Sequence, residues 1–435
     1  MRAIADFRRG AELLLWPQAI CAKIHHPINP LRTAPRRRLA AVLAVAAMAG
    51  SLIGEGAHAA DPDDSEIRIG NTMPYSGPAA AYGIIGKVIS AYFDKVNTEG
   101  GINSRKIRFI SYDDGYNPAK TLELTKKLVE EDKVLLTFAG LGTDPMAAVQ
   151  PYLNANKVPQ LFIASGATMW DKPREFPWTT GFQPSYQTEG HIYAEYLLEN
   201  HPRSKIAILY QDDAFGRDYL KGLKDGLGGK IPVVAEATYK VSDTSIDAQI
   251  AKLKASGADI FFDVTTPKFA AMAIKRTAEI GWKPVHIISS VSRSLSAVLP
   301  PAAQRYAEGV LSTGYTIEGD DPAVANDPAY REYNAFLERY VPSAARANSL
   351  TIYGYVIART MVEVLKRSGD DLSRENVMRQ AASLKDVVLD LGLPGMKINT
   401  GPNDYRVNKQ LQMMKFNGER WELFGPILED AGPAG

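Results

Sequence analysis

From Ile67 onward, short apolar runs of strand character alternate with helical stretches, and no other feature restricts the fold so sharply. Residues 67–73 carry apolar side chains on alternate positions, and a loop of small and turn-forming residues follows from Pro74 to Gly83. Ile85, Val88, Ile89, Tyr92, Phe93 and Val96 then recur at the spacing of one helix face. The unit repeats. Strands are expected over 106–112, 134–139 and 159–164, and helices over 121–131 and from Pro145, with Asp144 as N-cap. Such alternation predicts right-handed βαβ units and a parallel sheet covered on both faces.

Residues 178–184 interrupt the rhythm, which then restarts. A helix is expected over 186–200, followed by strands at 205–210, 233–239, 259–264 and 285–289 that alternate with helices at 217–227, 246–255 and 268–280. Three helical stretches follow at 329–340, 349–366 and 374–384. Residues 411–416 and 420–423 read as a hairpin on an Asn417-Gly418 turn. At 435 residues the chain exceeds the usual single core. The predicted class is therefore α/β, with two lobes, each a doubly wound parallel sheet.

Charge is uneven along the chain. Residues 1–59 hold eight Lys/Arg and three Asp/Glu, which leaves 42 against 46 in the remainder and no basic surface to suggest nucleic-acid binding. Arg36-Arg37-Arg38, the apolar run 39–53 and Ala57-His58-Ala59 have the order of an export signal cleaved near Ala59, so a periplasmic location is expected. The apolar run is shorter than the roughly 20 residues that span a bilayer. Arg37-Arg38 is only a weak twin-arginine signal. Thirty residues ahead of such a signal are unusual, and translation is expected to begin nearer Leu31. The single cysteine, Cys21, falls in this leader, so a chain starting after it has no disulfide, thiolate metal ligand or thiol nucleophile.

In open α/β sheets ligands bind beyond the carboxyl ends of strands. In the first lobe those loops are 75–82, 140–144 and 165–168, rich in Ser, Thr and Gly; in the second they are 211–216, 265–267 and 290–292. Hydroxyls and close backbone N–H groups suit an anion, although the same residues also simply form turns. There is no dinucleotide or phosphate-loop glycine motif and no nucleophile elbow. No two histidines have metal-ligand spacing, so neither metal nor cofactor is expected. Asp113-Asp114 and Asp212-Asp213 are expected to cap helices or pair with lysine, and Tyr353 and Tyr355 to pack.

Residues 67–83, Asn97-Thr98-Glu99-Gly100-Gly101-Ile102-Asn103, Tyr112-Asp113-Asp114 and Ile208-Leu209-Tyr210 with Phe215-Gly216 resemble the periplasmic leucine/isoleucine/valine-binding proteins of ABC importers. The resemblance implies the type I periplasmic-binding fold, with two lobes (66–183 plus 317–395, and 184–316 plus 396–425) that close on a small ligand. Crossovers are expected at Pro184, at 309–316 and near 392–399. It places Tyr82 at the family's aromatic wall and Thr143 at the carboxylate hydroxyl. Gly166 and Thr168, with Ser165 beside them, fall at the contacts around carboxylate and ammonium. Phe215 and Thr266 stand where tyrosines are usual, and Val291 where amino-acid binders place a glutamate for the ammonium.

A buried ammonium facing valine loses a charge-assisted partner, a penalty of about several kcal/mol. The expected ligand is therefore a small apolar or aromatic carboxylate and not necessarily an amino acid. The acid would rest on Thr143, Thr168 and the first-lobe helix ends, and the tail on Tyr82, Phe215 and Val291. An amino acid would need another ammonium partner, such as Glu189 or Asp213. The resemblance further implies a monomer that catalyses no reaction and delivers its ligand to an inner-membrane ABC permease. An exported α/β amidase or hydrolase and a ligand-sensing partner of a membrane receptor are the alternatives.

Overall fold

The computed structural model describes residues 66–294, 299, 301–319, 321–344 and 349–429, and the leader with its signal and start-site expectations lies outside them. The first sheet has the order β2-β1-β3-β4-β5 and is parallel throughout. Its strands are β1 (Glu66–Met73), β2 (Lys106–Asp113), β3 (Leu136–Phe138), β4 (Gln160–Ile163) and β5 (Thr179–Gly181). Ile67, Ile69 and Met73 of β1 are buried, each stabilising the core by about 1.5–3 kcal/mol. Three helices return between these strands: α1 (Gly83–Thr98), α2 (Pro118–Glu130) and α3 (Thr143–Ala155).

The second sheet has the order β14-β13-β10-β9-β8-β6-β7, and a separate antiparallel pair is formed by β11 (Val387–Val388) and β12 (Lys397–Ile398). The five parallel strands of the second sheet are β6 (Ile206–Gln211), β7 (Val233–Tyr239), β8 (Ile260–Val264), β9 (Val285–Ile288) and β10 (Leu311–Gly314). The terminal hairpin, β13 (Gln410–Phe416) and β14 (Trp421–Glu429), adds antiparallel to β10. Helices α4 (Tyr186–Asn200), α5 (Ala214–Leu227), α6 (Asp247–Ala255) and α7 (Pro267–Glu279) belong to this half. The chain then supplies α8 (Pro328–Tyr340), α9 (Ser349–Ser368) and α10 (Arg374–Ala381); Tyr92 of α1 packs edge-on against Phe336 of α8 and Tyr355 of α9. Two lobes of mostly parallel sheet, joined by three crossovers, result.

The crossovers are tied to one another. Thr316 bridges Gly392, Ile317 N–H donates to Leu391 O at 2.8 Å, and the Asn408 amide donates to Phe182 O at 2.6 Å. A file of aromatic rings runs edge to face through the first lobe to the crossover, from Phe138 to Phe162, Phe182 and Tyr353.

Several boundaries differ from those expected, for local reasons. Residues 178–184 contain β5, a strand of three residues that shows no readable alternation. Helix α2 begins at Pro118 because Asn117 Oδ1 accepts from the Ala119 and Lys120 N–H groups. Helix α3 begins at Thr143 after Gly142, whose φ of +100° only glycine adopts readily, so Asp144 is a first-turn residue and not the N-cap. The hairpin closes through residues 417–420, where Asn417 Oδ1 accepts from the Glu419 and Arg420 N–H groups, rather than through a two-residue Asn-Gly turn.

Candidate functional site

A cavity lies between the carboxyl ends of the two sheets. Tyr82, Thr143, Phe215, Thr266 and Val291 line it together. They arrive from five different strand-end loops, as the topology requires. About 60 Å³ is open to the centre of a water-sized sphere. One water needs only ~10–15 Å³, so the space suits a small organic molecule.

On the first lobe, the loop after β1 is held by Asp113. Its Oδ1 accepts from Tyr75, Ser76 and Gly115 N–H, and its Oδ2 accepts from the Ser76 hydroxyl at 2.6 Å. The Ser76 hydroxyl bond, with the backbone bonds and against burial, holds the Asp113 carboxyl below its ordinary value of 3.8. Ser76 is thereby engaged at the rim. Gly77 and Pro78 line a separate open depression with Val241, Ser242 and Lys268, and of the loop 76–82 only Tyr82 reaches the cavity. Asp114 behaves oppositely to its neighbour: burial raises its carboxyl despite bonds from Tyr116 N–H and the Thr121 hydroxyl.

Thr143 opens α3, and no side chain caps that helix. The Thr143 and Asp144 N–H groups are thus available to an oxyanion, since Pro145 has none and Met146 N–H donates to Gly142 O. Thr143 Oγ1 shares a hydrogen bond with Ser165 Oγ at 2.8 Å, and Ser165 also accepts from the Trp170 indole. Ser165 therefore stands behind Thr143, outside the cavity lining. Gly166 permits close approach of the first crossover: a Cβ there would lie 2.3 Å from Pro184 O. Thr168 turns away from the cavity. Its N–H and hydroxyl both donate to Asp218 Oδ2 of α5, at 2.8 and 2.9 Å.

On the second lobe Phe215 sits edge-on to Tyr186, and Thr266 stands at the N-cap position of α7 without a side-chain capping bond while its N–H donates to Tyr239 Oη. The turn 290–292 after β9 is fixed by Glu189, which is 1% exposed. Glu189 Oε1 accepts from Tyr193 Oη and Ser290 N–H, and Oε2 from Tyr219 Oη and the Ser290 hydroxyl, all at 2.6–2.8 Å. A carboxylate offers about four acceptor directions, and four donors occupy them. Asp213 N-caps α5 through Gly216 N–H, takes the Gln211 amide on its other oxygen and is raised by burial. Neither acid lines the cavity.

Strand-end reasoning missed several lining residues. Tyr116 and Arg293 lie just past the ends of β2 and β9, and reading two residues farther along each loop would have found them. Gln183, Tyr186 and Tyr315 lie in or beside crossovers. Arg293 is buried, bonds Glu318 at 3.3 Å and Thr316 Oγ1 at 2.5 Å, and lies over the Tyr315 ring at 5.4 Å. Tyr355 packs in the core as expected, whereas Tyr353, expected to pack, lines the cavity. Burial pushes the phenols of Tyr82, Tyr116 and Tyr353 well above 10, so they remain neutral donors.

A family model described as periplasmic binding protein matches residues 66–420. Leu/Ile/Val-binding protein homolog 1 of Brucella suis biovar 1 is 26% identical over 341 residues, covering 75% of this chain and 86% of that protein. A branched-chain amino acid ABC transporter structure from Thermus thermophilus with bound valine superposes with TM-score 0.76 at 15% identity, over 84% of this chain and 97% of that one. A fatty acid ABC transporter substrate-binding protein from Thermomonospora curvata superposes with TM-score 0.73 at 20% identity, over 85% and 94%.

Proposed function

The chain belongs to the periplasmic binding protein family, and from that premise we propose that its cleft binds an apolar or aromatic carboxylate lacking an α-ammonium group and delivers it to an inner-membrane ABC permease. The observation that carries this reading is Glu189. The acid best placed beside the cavity already accepts four hydrogen bonds that build the wall, and Val291 contributes no charge. Among the described residues that line the cavity, the only ionised side chain is a cation, Arg293. An incoming ammonium would thus be desolvated with no anion to meet it, at a cost of about several kcal/mol.

A carboxylate fares differently. The uncapped first turn of α3 and the Thr143 hydroxyl provide donors aimed where an anion is favoured. Phe215, Tyr82, Tyr186 and Leu350 supply an apolar surround. Two structural neighbours are named for valine and for fatty acid; those cargoes share a carboxylate and differ in the ammonium, which supports treating the acid as the common element. Binding would select the closed arrangement, because both lobes contact one ligand.

Thermal-shift screening tests this. Aromatic and branched aliphatic acids are expected to raise Tm, and strong stabilisation by leucine and valine with none by the acids would reject the proposal.

A further inference from the structure

Resting on the carboxylate reading above, we infer that the ligand carries a second, uncharged oxygen that is received by the Tyr353 hydroxyl. Tyr353 is 7% exposed and borders the cavity, and its Oη makes no hydrogen bond among the described residues. The Gln183 side chain lies within reach of it as a weak partner, and Gln183 Oε1 accepts from Tyr186 Oη at 3.4 Å, so no well-aligned protein bond holds the hydroxyl. A buried hydroxyl left unmatched is unfavourable and rare, and at a ligand cavity the missing partner is the ligand.

The tyrosine cannot withdraw from this position. Its ring stands edge-on to Phe182, with centroids 5.7 Å apart. The next residue, Gly354, sits against α1 so closely that a Cβ would lie 2.9 Å from Val88 Cβ. Helix α9 is therefore pinned, and the hydroxyl stays at the cavity wall.

Charge decides what kind of oxygen fits. Arg293 and Tyr315 belong to the same wall as Tyr353, and by charge alone a second carboxylate would suit the guanidinium. That cation already faces Glu318, with both side chains 6% exposed, and two of its other N–H groups meet Thr316 Oγ1 and Thr313 O. A further anion would leave net negative charge in a desolvated site. A hydroxyl, ketone or ether oxygen accepts from Tyr353 and adds no charge. The ligand class is thus a hydroxy-, oxo- or alkoxy-substituted apolar acid.

Calorimetric titration of the protein and of Tyr353→Phe with matched acids tests this. The pairs are benzoate with 4-hydroxybenzoate and 3-phenylpropionate with 3-(4-hydroxyphenyl)propionate, and terephthalate serves as the dianionic probe. In the protein the substituted member of at least one pair is expected to bind about 10-fold more tightly than its parent. In Tyr353→Phe that ratio is expected to fall to about one, and terephthalate is expected to bind more weakly than benzoate. The unliganded variant is expected to melt no lower than the protein, since no native hydrogen bond is removed. A ratio unchanged in the variant, or parent acids that bind as tightly as their substituted partners, overturns the inference and leaves the carboxylate reading standing. Absence of binding by every acid overturns both.

Discussion

The Tyr82 hydroxyl donates to the Val291 carbonyl oxygen at 3.3 Å, joining a first-lobe loop to a second-lobe turn across the cleft. Three further bonds span the same gap, one from Ala214 N–H to Asp144 Oδ1 and two from the Thr168 N–H and hydroxyl to Asp218 Oδ2. These bonds hold the two lobes against each other at the cleft. Tyr82→Phe removes one donor while keeping the ring at the wall. A net hydrogen bond contributes about 0.5–1.5 kcal/mol, so ligand affinity should fall roughly 2- to 12-fold. Small-angle scattering of the unliganded variant should show a larger radius of gyration than the parent.

Thr168 and Asp218 form a latch beside the cavity rather than within it. A double-mutant cycle of Thr168→Val and Asp218→Asn, read by ligand affinity, should give a coupling of about 1–2 kcal/mol. Additive effects within about 0.3 kcal/mol would mean that the two do not act together in closure.

Neighbouring acids after β2 should respond to pH in opposite senses. Asp113 is held below 3.8 by the Ser76 hydroxyl, so its stabilisation is present above 3.8 and lost as pH falls through the lower folded value. Asp113→Asn should therefore cost about 1–2 kcal/mol at pH 7 and flatten the acid limb of stability. Asp114 is raised by burial, so the folded protein retains its proton longer and loses stability as pH rises from 3.8 through the raised value. Asp114→Asn should gain on the parent over that window. Urea midpoints measured from pH 3 to 7 check both.

The βα rhythm made the two-lobe architecture legible, because strands buried on both faces and amphipathic helices carry different periods. Strand β5 was invisible at three residues. For the site, loops beyond strand ends yielded Tyr82, Thr143, Phe215, Thr266 and Val291. Ser165, Gly166 and Thr168 came from an equally plausible loop, yet their contacts point to Thr143, Pro184 and Asp218. Spacing alone could not separate Tyr353 from Tyr355. Two residues apart on a helix, they face about 200° apart, and only the packing of α9 on α1 decides which meets the cavity. Arg293 was likewise hidden, since its partners Thr316 and Glu318 lie more than twenty residues away in a crossover.

The proposed cargo of the cleft is an acid without an ammonium. Calorimetric titration at pH 7 of two matched pairs, leucine with 4-methylpentanoate and phenylalanine with 3-phenylpropionate, addresses it most directly. Each deaminated acid is expected to bind at least about 10-fold more tightly than its amino acid, the ratio that ~1.4 kcal/mol of unpaired ammonium produces. Amino acids that bind more tightly than their deaminated partners would contradict it.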